Sequence, residues 1–269
     1  MKIFKSINKL NKEVIFKANL GFVPTMGSLH KGHISLIKTS KFKCKKTLVS
    51  IFINPSQFEK KKDFNSYPRN LKKDIAILKK LKVDYVLIPN KNEIYETKKS
   101  TKIKISKRDK ILCAKYRKGH FEGVLAVIKQ FLTKINVKFL FLGEKDYQQI
   151  YLIKKFIRKN FNTKVISCKT VRIKNSIPFS SRNILLSNKN LKKAASVSLL
   201  VKNFYLSIKK NFRNIKNLKK VKNIIEGKNI KIDYFEIRNA VNLSKKINKS
   251  NFKIFIAYNI NTIRLIDNF

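Results

Sequence analysis

Short apolar runs rich in β-branched residues alternate with helix-like periods through the first 170 residues of the chain. The predicted strands cover residues 14–23, 46–53, 82–89, 137–142 and 164–168. The predicted helices between them cover residues 33–41, 70–81, 124–135 and 147–160. Parallel neighbouring strands need crossovers of this kind, and alternation on this scale is typical of an α/β fold. The pattern therefore predicts a parallel sheet with helices on both faces.

The pattern changes beyond about residue 170. The elements predicted there are a helix over 189–210, a basic helix near 214–226, and short strands at 231–237 and 252–258. Helices followed by strands, without further alternation, are typical of a separate α+β unit. We therefore expect two domains, residues 1–170 and residues 171–269, with a hinge near residues 169–176.

The charge balance of the chain is strongly basic. It has 63 Lys and Arg against 15 Asp and Glu, a formal net charge of +48. A balance of this kind is typical of nucleic-acid-binding proteins, and an RNA-binding protein that has kept an enzyme fold is one alternative. The lysines run through every segment, however, and no stripe of arginine and aromatic residues is present. We interpret the charge as a solvated basic surface without a specific nucleic-acid partner.

Three cysteines, Cys44, Cys113 and Cys168, are widely spaced and form no CxxC pair. Such spacing excludes a CxxC zinc or redox motif and favours a reducing compartment. The first residues lack an apolar stretch followed by a small-residue cleavage site, and no run of about eighteen apolar residues occurs. The sequence predicts a soluble cytoplasmic protein without a membrane anchor.

Two of the three histidines, His30 and His33, lie in the string PTMGSLHKGH at residues 24–33. A strand gives way there, through Gly27, to a helix that is predicted to begin near Gly32. Ligands of α/β sheets bind at such junctions, and the unpaired amides of a helix N-terminus favour phosphate. The glycines would let a nucleotide approach the backbone, and the imidazoles would bond phosphate oxygens. HxGH alone is also compatible with a surface helix start or a metal-binding pair.

The longer string resembles the HxGH signature of the nucleotidyltransferase superfamily, in the PTMGxLHxGH form of the pantoate:β-alanine ligase (pantothenate synthetase) family. Further stretches resemble the same family in the same order: SIFINPSQF (50–58), YPRNLKKD (67–74), RKGHFEGV (117–124), FLGEKDYQQ (141–149) and FSSRN (179–183). Two more, FEIRNA (235–240) and IRLIDN (263–268), are similar to the family's C-terminal domain. The resemblance implies a Rossmann-like first domain, a smaller lid domain and a homodimer.

The family resemblance also implies a reaction. ATP, with Mg²⁺, would adenylate the carboxylate of pantoate, and the amine of β-alanine would then displace AMP. Another enzyme of the HxGH superfamily, such as a cytidylyltransferase or a different adenylate-forming ligase, is the closest alternative. The pair Gln57 and Gln149, which the family uses to hold pantoate, argues against that alternative.

Site residues follow from the matching motifs. The resemblance assigns catalytic charge stabilisation to His30, His33, Lys145, Ser181 and Arg182. It assigns ATP binding to Met26, Gly27, Ser28, Leu29, His30, Lys31, Gly32, His33, Gly143, Glu144, Lys145, Asp146, Val171, Phe179, Ser180, Ser181 and Arg182. Pantoate and β-alanine are assigned to Gln57, Gln149, Asn54, Arg117 and His120, and a magnesium contact is assigned to Asp74.

The same residues have plainer interpretations. FSSRN is also typical of a helix N-cap beside a surface arginine. Gln57 is also a turn residue, and His120 is also compatible with a packed structural role. Asn175-Ser176 and Pro178 depart from the family's pattern before the SSRN motif, which predicts a stiffer loop.

Overall fold

The computed structural model of the chain describes residues 1–14, 19–59, 61–95, 103–174 and 176–269. These residues form two compact units. The larger unit contains Met1–Glu144 and Gln149–Lys169, and the smaller unit contains Lys145–Gln148 and Thr170–Phe269. Within the described ranges, no helix has both the length and the apolar content needed to cross a membrane.

The described residues of the larger unit include six strands and eight helices, and the last of these helices starts with two residues of the smaller unit. The strands are β1 (Lys2–Phe4), β2 (Leu20–Thr25), β3 (Lys46–Ile51), β4 (Tyr85–Leu87), β5 (Phe139–Gly143) and β6 (Lys164–Cys168). The helices are α1 (Ile7–Glu13), α2 (Lys31–Lys43), α3 (Lys61–Asn65), α4 (Leu71–Lys80), α5 (Lys91–Ile94), α6 (Cys113–Tyr116), α7 (His120–Lys134) and α8 (Tyr147–Asn160). Short 3₁₀ helices cover Pro55–Gln57, Lys107–Asp109 and Glu144–Asp146.

The six strands form one parallel sheet in the order β1-β4-β3-β2-β5-β6. Consecutive residues Leu20 to Val23 of β2 are all buried. Because successive side chains of a strand point to opposite faces, both faces of the sheet are covered, as predicted. The chain moves from β2 to one side of the sheet through β3 and β4, and to the other side through β5 and β6. The carboxyl ends of β2 and β5 therefore flank the topological switch point, where α/β sheets bind ligands.

The predicted helices and strands of this unit are confirmed, with differences at their ends. Strand β2 begins at Leu20 rather than Val14, and residues 15–18 lie outside the described part of the chain. Strand β4 has only three residues. Strand β1 was not predicted, because it is a three-residue edge strand whose first two residues are exposed.

The smaller unit contains an antiparallel sheet and two helices. Its strands are β7 (Lys231–Asn239), β8 (Phe252–Ile260) and β9 (Ile263–Asn268), in that order, and its helices are α9 (Asn188–Lys210) and α10 (Leu218–Glu226). Short 3₁₀ helices cover Ser181–Leu185 and Phe212–Asn217. Val197 and Val201 of α9 share a core with Ile254 and Ile256 of β8.

Strand β9 was not predicted. It follows β8 through a two-residue turn in which Asn261 has a φ of 53°. Asparagine tolerates this left-handed conformation better than other non-glycine residues, and such residues close tight hairpins.

Candidate active site

Residues 24–33, which we call the signature loop, lead from β2 into α2. His30 caps the helix, since its Nδ1 accepts the amide of Gly32 at 3.1 Å. Nδ1 of His33 accepts the amide of His30 at 3.4 Å, and the two rings stack with centroids 4.0 Å apart. A neutral imidazole has one donor and one acceptor nitrogen, so each ring carries its hydrogen on Nε2. The loop therefore holds two stacked imidazoles, each with an Nε2–H donor of the kind that binds phosphate oxygens.

Three backbone amides of the signature loop, those of Gly27, Ser28 and Leu29, are bonded within the protein. Gly27 donates to Oγ1 of Thr25 at 3.2 Å. Ser28 and Leu29 donate to the two carboxylate oxygens of Asp74 at 2.8 and 2.7 Å. These three amides precede helix α2. The prediction that amides at the N-terminus of that helix bind phosphate stays a prediction.

The loop has an unusual backbone at Gly27 and Ser28, whose φ angles are 77° and 51°. A Cβ atom on Gly27 would lie 2.9 Å from Oδ2 of Asp74, so both the conformation and the space require glycine. For Ser28 the left-handed conformation costs on the order of 1 kcal/mol, which the bond to Asp74 offsets.

The 3₁₀ turn at Pro55–Gln57 follows β3 and carries the first glutamine of the predicted pantoate site. Oε1 of Gln57 accepts Nδ2 of Asn54 at 3.3 Å, and its Nε2 donates to Sδ of Met26 at 3.0 Å. Its backbone carbonyl accepts from Nδ1 of His120 at 2.7 Å. These two side-chain bonds use one N–H and one lone pair of the Gln57 amide group, which has two of each. Gln57 is thus held in place from both its side chain and its backbone.

Asn54 supports this turn. Its Nδ2 also donates to the carbonyl of Gly123 at 3.0 Å, while Oδ1 accepts the amide of Ser56 at 3.2 Å and the hydroxyl of Tyr95 at 2.9 Å. The residue is 1% exposed, and all four hydrogen-bonding positions of its side chain are occupied. Asn54 therefore holds Gln57 in place, and its predicted contact with pantoate stays a prediction. Burial raises the pKa of Tyr95, so its hydroxyl stays a donor.

His120 and Arg117 form one arrangement at the start of α7. Nη1 of Arg117 lies 2.8 Å from Nε2 of His120. Because a guanidinium only donates, Nε2 is the acceptor, and the hydrogen on Nδ1 is the one donated to Gln57. His120 is 7% exposed. His120 therefore connects Arg117 to the Gln57 turn. This is the packed structural role that the sequence analysis gave as an alternative for His120.

Helix α7 approaches this turn closely at Gly123. A Cβ atom there would lie 2.3 Å from the carbonyl oxygen of Ser56, so every other residue would push the turn away. The predicted contact Gln149 is half-buried in the first turn of α8. Gly143, at the end of β5, faces open space: no heavy atom within the described residues lies within 4 Å of a Cβ built there.

The smaller unit carries Lys145 in the 3₁₀ turn Glu144–Asp146. Its ammonium lies 3.7 Å from Oδ1 of Asp146, and its side chain is 19% exposed. Nδ2 of Asn268 donates to its backbone carbonyl at 3.0 Å. Two residues on, the hydroxyl of Tyr147 donates to the carbonyl of Ala240 at 2.7 Å. The segment is thus fixed to the C-terminal strands, a set of contacts that the sequence did not predict.

The SSRN motif starts the 3₁₀ helix Ser181–Leu185. Oγ of Ser180 accepts the amide of Arg182 at 3.2 Å, so Ser180 is an N-cap, as its plainer interpretation predicted. Ser181 and Arg182 are half-buried. The amide of Phe179 donates to the carbonyl of Val171 at 3.0 Å, which joins the two predicted ATP contacts before the motif.

Backbone bonds join the described residues on the two sides of residue 175, between Val171 and Phe179. Arg172 and Pro178 form an isolated antiparallel bridge, and the amide of Ile173 donates to the carbonyl of Ile177 at 2.8 Å. Asn175, one of the departures from the family pattern, lies outside the described residues.

Arg172 and Asp267 form a buried ion pair that the sequence did not reveal. The guanidinium donates to both carboxylate oxygens at 2.8 Å, and the two side chains are 17% and 3% exposed. It also donates to the carbonyl of Asn268 at 3.0 Å and lies over the ring of Phe269. The partners are 95 residues apart in the chain. Asp267 lies in the IRLIDN stretch, but nothing in that stretch points to Arg172.

Comparison with known proteins agrees with these motifs. The family model described as Pantoate-beta-alanine ligase matches residues 2–269. The chain belongs to the pantoate–β-alanine ligase family. Pantothenate synthetase of Pseudothermotoga lettingae is 38% identical over 100% of this chain and 98% of that protein. That of Francisella tularensis subsp. mediasiatica is 38% identical over 98% and 94% of the two chains.

Solved structures of pantoate–β-alanine ligases share the fold. Pantothenate synthetase from Thermus thermophilus superimposes with a TM-score of 0.90 at 27% identity, over 100% of this chain and 99% of that chain. Pantoate-beta-alanine ligase from Francisella tularensis, solved with Beta-gamma ATP and Beta-alanine, has a TM-score of 0.85 at 36% identity, over 100% and 97% of the two chains.

The residues of this family member do not fit a magnesium site made by protein ligands. Mg²⁺ prefers several oxygen ligands in octahedral geometry. Among the described residues, no group of three or more His, Cys, Asp or Glu side chains is able to hold a metal ion. The predicted contact Asp74 already uses both oxygens on the signature loop.

A cavity of about 380 Å³ lies in the larger unit beside the signature loop. It borders Met26, Gly27 and Asp74, and most of its other wall is apolar, including Ile51, Phe52, Phe64, Leu71 and Ile88. None of the side chains predicted to bind pantoate lines it. Pro55 of the Gln57 turn does line it, so the cavity lies next to that turn.

Proposed function

We propose that the chain is an ATP-dependent ligase that joins pantoate to β-alanine and releases AMP and pyrophosphate. The observation that carries the proposal is the His30–His33 pair, whose rings stack with centroids 4.0 Å apart and whose Nδ1 atoms both accept backbone amides of the signature loop. Membership of the pantoate–β-alanine ligase family over residues 2–269 supports the substrates. The Francisella relative solved with Beta-gamma ATP and Beta-alanine supports two of them.

The chemistry takes place in two steps. A carboxylate oxygen of pantoate attacks the α-phosphorus of ATP, the bond to the bridging oxygen breaks, and pyrophosphate leaves with its electron pair. The neutral amine of β-alanine then attacks the acyl carbon of the adenylate. The acyl–phosphate bond breaks, AMP leaves, and the amine proton passes to solvent. The carboxylate becomes a good acyl donor only after adenylation.

The imidazoles act on the first step. Negative charge grows on the α-phosphate oxygens as the pentavalent transition state forms, and fixed donors aimed at those oxygens stabilise it. His30 and His33 supply Nε2–H donors. Lys145, Ser181 and Arg182 share the remaining phosphate charge, in the roles that the family resemblance assigns. Asp146 steadies Lys145 through their ion pair.

The Gln57 turn acts on pantoate. The amide of Gln57 bonds the hydroxyl and carboxylate region of pantoate, and Gln149 supplies the second clamp. Arg117 offers a guanidinium for a substrate carboxylate, held by its contact with His120. Positioning of this kind brings the carboxylate close to the α-phosphorus and lowers the entropic part of the barrier.

Magnesium enters with the nucleotide. ATP binds as its Mg²⁺ complex, so the ion is part of the substrate and its ligands are mainly phosphate oxygens and water. The homodimer and the cytoplasmic location stay predictions from the family resemblance. Light scattering of the purified chain tests the dimer.

The test is a turnover assay with ATP, Mg²⁺, pantoate and β-alanine, in which AMP and pantothenate are both measured and each substrate is omitted in turn. We expect both products only when all substrates are present. His33→Ala should lower kcat by roughly 10²–10³-fold, the usual loss for one transition-state donor. Lys38→Ala, an exposed change on the same helix, should leave kcat unchanged.

Other outcomes would identify the alternatives. AMP without pantothenate would indicate a different amine acceptor, and AMP formation that does not require pantoate would indicate another enzyme of the superfamily. No ATP turnover, together with RNA binding that falls steeply with salt, would replace the ligase by the RNA-binding alternative.

A further inference from the structure

Asp74 is a buried carboxylate that contacts the signature loop. It lies in the first turn of α4 and is 2% exposed. Oδ2 accepts the amide of Ser28 at 2.8 Å, and Oδ1 accepts the amide of Leu29 at 2.7 Å. The partners are 46 and 45 residues away in the chain. Charge-assisted bonds of this length are among the stronger hydrogen bonds of a protein.

These bonds hold the part of the loop with the least favourable backbone. Gly27 and Ser28 both have positive φ angles, and Ser28 is not a glycine. The carboxylate bonds the N–H groups of the two peptides that flank the Cα of Ser28. His30 follows directly, so the direction of its ring depends on this conformation. A change of the loop by 1 Å at this point is enough to lower a rate by about 10²-fold.

The same geometry disfavours a metal contact. An ion bound to either oxygen would compete with an amide for the carboxylate, and no second acidic side chain is grouped with Asp74 and a further ligand among the described residues. We propose that Asp74 is a positioning residue, which fixes the signature loop so that His30 and His33 present their Nε2–H groups, and that it does not bind Mg²⁺. The effect on catalysis rests on the proposed ligase function.

The first test needs no activity. Hydrogen exchange of the amides of Ser28 and Leu29 is measured by NMR in the wild-type chain, in Asp74→Asn and in Asp63→Asn. Asp63 is exposed on α3 and provides the same change of charge. We expect Asp74→Asn to speed exchange at both amides at least tenfold and Asp63→Asn to leave it unchanged. Equal exchange in all three proteins would overturn the proposal.

If Asp74→Asn does not fold, a second exchange experiment uses the wild-type protein alone. Exchange of the two amides is compared with and without Mg²⁺, in the absence of ATP. A positioning carboxylate predicts no difference. Faster exchange when Mg²⁺ is added would mean that the ion takes the carboxylate from the amides, and the proposal would fail.

The catalytic test separates positioning from metal binding. Rates of pantothenate formation are measured over a range of Mg²⁺ at saturating ATP. We expect kcat of Asp74→Asn to fall roughly 10–100-fold, while the Mg²⁺ concentration for half-maximal rate stays within about twofold of the wild type. A tenfold higher Mg²⁺ requirement, with activity restored by excess Mg²⁺, would make Asp74 a metal contact. If the wild type has no ligase activity, the proposed function fails and the exchange experiments still decide the role of Asp74.

Discussion

The Gln57 turn of the larger unit and the Lys145 segment of the smaller unit are held in different ways. The Gln57 turn is fixed in part by residues next to it in the chain, since Asn54 bonds both Ser56 and Gln57. The Lys145 segment is fixed by Asn268, 123 residues away. One site element therefore carries part of its support inside its own motif, whereas the other depends on the last strand of the chain.

The difference has a consequence for how each element fails. A substitution in a local support should disturb one turn and leave the rest of its unit folded. A substitution in the distant support should act through the C-terminal sheet, because Asn268 neighbours the Arg172–Asp267 pair. Breaking that pair should lower the stability of the whole smaller unit.

The largest effect is expected from Arg172→Met. The substitution leaves Asp267, which is 3% exposed, without its cation, although Ser198 still donates to it. Breaking one partner of a buried pair costs about 3–5 kcal/mol, and we expect the free energy of unfolding to fall by about 3 kcal/mol. Urea denaturation monitored in the smaller unit measures this loss.

The control for this prediction is Lys222→Met on α10. Lys222 and Glu226 form an exposed pair at 3.6 Å, with side chains 44% and 41% exposed. Exposed pairs of this kind contribute about 0–1 kcal/mol, so little change is expected. A similar loss of unfolding free energy in both variants would mean that the Arg172–Asp267 pair stabilises the smaller unit no more than an exposed pair does. The contrast between the two site elements would then fail.

The local support is tested by Asn54→Ala. The substitution takes a hydrogen-bond partner away from the amide of Ser56, the carbonyl of Gly123 and the hydroxyl of Tyr95. A buried group that loses its partner costs about 1–3 kcal/mol before relaxation, so we expect a loss of about 2 kcal/mol in unfolding free energy. KM for pantoate should rise about tenfold with KM for ATP little changed, because the Gln57 turn moves and the signature loop does not.

Steady-state kinetics at varied pantoate and varied ATP, with a urea titration, measure both effects. Asn65→Ala, an exposed change at the end of α3, is the matched control. Equal increases in the two KM values would contradict a local role for Asn54.

The sequence predicted the parts of the molecule that repeat a period or a motif. The alternating strands and helices of residues 20–168 and the long helix α9 follow from side-chain spacing. The HxGH, NPSQ, GEKD and SSRN motifs marked the candidate site through the family resemblance. Strand β1 was missed because three residues, two of them exposed, are too few to show the alternation of a strand. Strand β9 was missed because it is short and follows a tight hairpin, so its alternation is also weak.

The supporting contacts could not be predicted in the same way. The family resemblance assigns a magnesium contact to Asp74, and nothing in the sequence shows that its oxygens accept amides 46 and 45 residues away. The bonds within the signature loop depend on ring orientation and tautomer, which no spacing encodes. Asn268 lies in the IRLIDN stretch of the C-terminal domain and Arg172 in no quoted motif, and neither position indicates the bond from Asn268 to Lys145 or from Arg172 to Asn268.

The smallest effect is expected from Asn268→Ala, which removes the bond from Nδ2 to the carbonyl of Lys145 and keeps the backbone of β9. One lost neutral bond corresponds to about 1 kcal/mol. If it serves mainly to hold Lys145 for the transition state, kcat should fall about five- to tenfold with KM for pantoate unchanged. Asn223→Ala, an exposed change on α10, should leave kcat as it is. A loss confined to stability, with kcat intact, would show that the C-terminal strand supports only the fold, and the contrast with the Gln57 turn would then concern folding rather than catalysis.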